Sequence, residues 1–167
     1  IIGENRETTI IDGNQAGTVV KIMGSSGSAR LESMTITNGV GENTYFGGDD
    51  YAGGIFIDKD GTVLNDLYLY SNNSNDYAGG IYVNASGFTL SNSIIKDNIA
   101  TGDGGGIYVI NSADINIINN LFYGNGGSNG GGAISIQGTT ADINNCTITN
   151  NQDNGLFLGI GSTVTMR

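Results

Sequence analysis

Histidine is absent from this chain of 167 residues, cysteine occurs once, and Lys plus Arg number only 6 against 16 Asp plus Glu. Each shortage excludes something. With no His and no Cys-x-x-Cys pair, the sites usually built for zinc or redox chemistry are missing. A lone thiol, Cys146, cannot close an internal disulfide, and free cysteines are most often small buried apolar residues. A formal net charge of −10 repels phosphate backbones and anionic headgroups. Neither nucleic acid nor a membrane surface is therefore an expected partner. No apolar run reaches about 18 residues and no basic stretch precedes an apolar one, so neither a membrane span nor a signal peptide is expected within these residues.

What is present is regularity. At 38% hydrophobic and 13% charged the chain has enough apolar material for one continuous core, read as a single domain over residues 1–167. Its 29 glycines and many asparagines would suit a solvated coil, yet Ile, Leu and Val recur too evenly for one. Gly-Gly followed by an alternating apolar strand appears at Gly53-Gly54-Ile55-Phe56-Ile57, Gly79-Gly80-Ile81-Tyr82-Val83, Gly105-Gly106-Ile107-Tyr108-Val109 and Gly131-Gly132-Ala133-Ile134. These pairs start 26 residues apart, and a worn copy follows at Gly155-Leu156-Phe157-Leu158.

Two more apolar columns align within each period. Leu31, Leu64, Leu90, Ile117 and Ile143 form one, and Ile36, Leu69, Ile95, Phe122 and Ile148 the other. Polar columns separate them: Ser33, Asp66, Asn92, Asn119 and Asn145, then Asn72, Asn98, Asn125 and Asn151. Stacked identical amides can bond along an axis, which accounts for the asparagines without a functional role. No period buries its own apolar side, whereas stacked periods bury Ile on Ile and pair every strand above and below. The pattern predicts an all-β parallel β-helix of about six coils of ~26 residues, with three short strands per coil. The first coil departs from it. Ile22 to Ile55 spans 33 residues, which predicts an inserted loop around 39–50.

The opening Ile2-Gly3-Glu4-Asn5-Arg6, the Gly-Gly-Ile-Tyr strands and the Ile-x-x-Asn or Phe-x-x-Asn turns resemble the right-handed β-helix repeat proteins of the pectin-lyase-like superfamily. Phe122-Tyr-Gly-Asn125 is also similar to repeats of bacterial polymorphic outer-membrane proteins. The resemblance implies a right-handed coil and an extracellular or cell-surface setting. That architecture includes polysaccharide lyases, hydrolases, adhesins and passenger domains, so it does not by itself name a reaction.

Three features bear on chemistry. Acidic residues precede the Gly-Gly strands, and Asp50, Asp76 and Asp103, stacked at about 4.8 Å per coil, would suit a hard cation such as Ca²⁺. A solvated acidic edge is the plainer alternative. Outward aromatic files, Phe56, Tyr82 and Tyr108 on the first strand and Tyr70, Lys96 and Tyr123 on the third, offer rings for stacking on sugars, or simply on one another. No catalytic residues stand out, because the basic residues do not cluster and the usual His proton shuttle is missing.

Ile1 enters in mid-strand and Thr163-Val-Thr-Met-Arg167 leaves in one, so a longer chain, or self-association through open solenoid ends, is expected. The expected role is a non-catalytic structural or adhesive surface module that contacts polysaccharide. A pectin-lyase-like polysaccharide lyase or glycoside hydrolase is the alternative.

Overall fold

The computed structural model describes residues 1–43 and 50–167, with the side chains of Asn43 and Asp50 left aside. Among the described residues every regular element is a β-strand, and nearly all pairing is parallel between successive coils. Face one consists of Val20–Met23, Ile55–Asp58, Ile81–Val83, Ile107–Ile110, Ile134–Gln137 and Leu156–Leu158. Faces two and three form one bent sheet, because Arg30–Thr37 and Val63–Tyr70 run through both. Later coils split these into Thr89–Ser91 and Ile94–Lys96, Ile115–Ile118 and Leu121–Tyr123, then Thr140–Asn144 and Thr147–Thr149.

The predicted columns stand in register. Leu64 lies between Leu31 and Leu90, and Ile117 between Leu90 and Ile143. Ile36, Leu69, Ile95, Phe122 and Ile148 pair in the same way on face three. With Ile55, Ile57, Ile81 and Ile107 they fill one continuous core. Two registers differ from expectation. Val20, not Ile22, pairs with Ile55, a shift of two residues that keeps the same side chains inward. The fourth glycine pair is also displaced, because the N–H of Gly106 bonds to Gly132 O and that of Ile107 to Ala133 O, making that step 27 residues.

The two polar columns are held for different reasons. Ser33, Asp66, Asn92, Asn119 and Asn145 all have φ between 51° and 57°, and they bend the chain from face two to face three. Short polar residues tolerate that left-handed conformation, which costs most side chains about 1–2 kcal/mol. The second column is a buried amide ladder. Asn72 Nδ2 donates to Asn98 Oδ1 at 3.0 Å, Asn98 to Asn125 at 3.1 Å and Asn125 to Asn151 at 3.0 Å.

Cys146 belongs to a third inward column, in which the Ser93 N–H donates to Asn120 Oδ1 and the Asn120 N–H meets Cys146 Sγ at 3.5 Å. The half-buried thiol thus replaces a polar side chain at that corner as well as packing on the core. Around the expected insertion, Glu42–Asn43 pairs antiparallel with Asp50–Tyr51, and residues 44–49 lie outside the described residues.

Candidate functional site

On face one, Phe56, Tyr82 and Tyr108 stack in register and point away from the solenoid core. They are nevertheless only 7%, 8% and 3% exposed. A second layer covers them. Tyr51 and Tyr77, which precede the glycine pairs, fold over the strand: Tyr77 stacks on Tyr108 at 5.1 Å and Tyr51 meets Tyr82 edge-on at 4.8 Å. Ala52 and Ala78 complete this outer cluster. The expectation that these three rings offer open surface to sugars is therefore corrected, since their faces are occupied within the protein. Burial, followed by the charge of Asp103 and the neighbouring phenols, pushes the Tyr108 phenol above the usual tyrosine range.

The acidic column is also out of register. Tyr51 pairs with Tyr77, and the Ala78 N–H donates to Asp103 O, so Asp103 follows Tyr77 in its column. Asp76 instead accepts from the Gly102 N–H through its backbone oxygen at 2.7 Å. Asp76 and Asp103 are thus one residue apart in register, and the side chain of Asp50 lies outside the described residues. Asp103 Oδ2 accepts from Gln137 Nε2 at 2.9 Å. Burial raises its pKa above the usual aspartate range, and the Gln137 bond opposes the rise. Among the described residues, no three His, Cys, Asp or Glu side chains gather in a way that holds a metal ion.

Face three presents the more exposed file, in which Tyr70 stacks on Tyr68 at 4.7 Å. Lys96 lies in register between Tyr70 and Tyr123, with Tyr123 37% exposed and the other two half-buried. Lys96 Nζ sits 5.8 Å from the centre of the Tyr123 ring and 3.3 Å from Asp97 Oδ2. That hydrogen-bonded carboxylate raises the Lys96 pKa.

Strand alternation places a second outward column, Tyr68, Ile94, Leu121 and Thr147, beside the first. Ile94 and Leu121 floor a cleft of about 440 Å³ whose other lining includes Arg6, Asn92, Asn119 and Asn145. Face three is therefore a trough along the solenoid axis. The cleft lies between the aliphatic column and the asparagine corner, and the Tyr70, Lys96 and Tyr123 file runs along the other side of the aliphatic column without lining the cleft. Arg6 reaches across that corner, 3.2 Å from Asp66 Oδ1 and 3.4 Å from the Asn92 carbonyl oxygen. Sequence reasoning found the aromatic file and missed the cleft beside it. The signal was the period of two, which puts Ile94 and Leu121 on the same side as Lys96 and Tyr123.

The repeat, the three faces and the inward columns agree with a comparison against protein families, in which the right handed beta helix region matches residues 20–167. The chain belongs to that family. No curated protein and no solved structure matches this β-helix. Membership establishes the right-handed β-helix and leaves the ligand to the surface chemistry of this particular chain.

Proposed function

We propose that this β-helix is a non-catalytic extracellular or cell-surface module whose third face contacts glycans. The observation that carries the reading is the contrast between two aromatic files: the one on face one is covered by Tyr51 and Tyr77, whereas on face three Tyr70 stacks on its neighbour Tyr68 at 4.7 Å and Tyr123 is exposed, with a cation in line. Tyrosine edges and faces, aliphatic floor residues and amide donors are the groups that bind the apolar patches and hydroxyls of sugars.

A lyase or hydrolase would require acid and base groups facing each other across a substrate. Asp103 has the raised pKa such a role uses, but it is tied to Gln137, and Asp76 stands one residue out of its column.

A glycan array paired with a reducing-end assay tests the proposal. Binding without release of reducing ends is expected, with binding lost in the Tyr70→Ala/Tyr123→Ala double variant while its thermal unfolding remains cooperative. Absence of binding, or production of reducing ends by the intact chain, contradicts it.

A further inference from the structure

We infer that the ligand of face three is an uncharged, extended glycan of the β-1,4-linked ribbon type, lying along the solenoid axis. The inference rests on the glycan reading above and narrows it to a chemical class. Charge comes first. The cation of the cleft and the cation of the file beside it already have carboxylate partners, Arg6 with Asp66 and Lys96 with Asp97, in a molecule with a net charge of −10. An acidic polysaccharide would have to displace those partners and then face the surrounding negative field. Neutral hydroxyls need only donors and acceptors.

The asparagine wall supplies donors. Asn145 Nδ2 donates to Asn119 Oδ1 at 2.7 Å and Asn119 Nδ2 to Asn92 Oδ1 at 3.3 Å. Each of these bonds uses one of the two N–H groups on its amide. The second N–H is left for a ligand oxygen. Tyr70 and Tyr123, in the file on the other side of the Ile94 and Leu121 column, are two coils apart, about 9.6 Å at the usual strand spacing.

Shape selects among neutral chains. The aliphatic column runs from coil to coil without a break, because its strands pair in unbroken parallel register from Tyr68 to Thr147. A β-1,4-linked chain is a flat ribbon in which alternate sugars face the same way, and its two-sugar repeat is close to twice the strand spacing. Alternate sugars then meet Tyr70 and Tyr123, with apolar ring faces over Ile94 and Leu121. A coiled α-1,4-linked chain curves away from such a line.

Titration calorimetry on the full chain with cellohexaose, mannohexaose and chitohexaose, compared with maltohexaose and hexagalacturonate at low and high salt, tests the assignment. At least one of the first three is expected to bind. Its Kd should be insensitive to salt, as suits an uncharged ligand, and weakened about tenfold by Tyr123→Ala. Binding of hexagalacturonate that fades with salt, or of maltohexaose alone, overturns the inference and leaves the glycan reading standing. Binding of none of the five overturns both.

Discussion

Asparagine does two different jobs at two corners, and single substitutions separate them. Asn98 is buried, and its Oδ1 accepts both the backbone N–H and the Nδ2 of Asn72 while its own Nδ2 reaches Leu69 O and Asn125 Oδ1. Removing that amide strands several buried groups at once, and buried unsatisfied groups cost about 1–3 kcal/mol each. Asn98→Ala is expected to lower the urea-unfolding free energy by about 3 kcal/mol. Asn119, by contrast, is exposed and held at φ 57°, a conformation glycine adopts freely. Asn119→Gly should shift stability by less than about 0.5 kcal/mol. The sequence displayed both columns but not the difference between them. The distinguishing mark lies one residue earlier, where Ser71, Asp97, Gly124 and Asn150 take the left-handed conformation and leave the following asparagine to turn inward.

At the level of the strand and its cover, the sequence was readable wherever residues were aligned by the 26-residue period and misleading where they were matched by type. Leu64, Leu90 and Ile117 could be aligned by eye because each carries an apolar side chain at a fixed place. Counting back two residues from Gly79 and from Gly105 already sets Asp103 opposite Tyr77, as the hydrogen bonding does, and only matching carboxylate to carboxylate put it beside Asp76. The tyrosine cover was missed for a related reason. Asp-Tyr-Ala-Gly-Gly repeats twice, and its carboxylate drew attention that belonged to its ring.

Asp103 therefore follows Tyr51 and Tyr77 in a column that continues to Gly130, and it is half-buried where its predecessors are aromatic. Because burial raises its folded-state pKa, the folded chain binds more protons than the unfolded chain between the ordinary value of 3.8 and the raised one. Stability consequently falls as pH rises through that window. Asp103→Asn keeps an oxygen for Gln137 and removes the penalty, so it should melt above the wild type near neutral pH. That advantage should disappear in melts below the ordinary aspartate value of 3.8.

At the scale of the whole molecule, the solenoid turns sequence repetition into long straight surfaces, each with its own chemistry. Face one spends its aromatic side chains on a second packed layer, face two is lined at its far end by Asp142, Thr140 and Thr165, and face three keeps an open trough. The fold was legible because stacking makes every coil repeat the same apolar demand. The site was only half legible because exposure depends on what folds over a strand, and nothing in a strand's own period records its cover.

The most direct test of the account is an amide-resolved NMR titration of the full chain with the hexasaccharide that binds most tightly. Shifts confined to Ile94, Lys96, Leu121, Tyr123 and the Asn119 corner are predicted, with Tyr82 and Tyr108 unmoved. Shifts centred on face one, or none at saturating sugar, would contradict it.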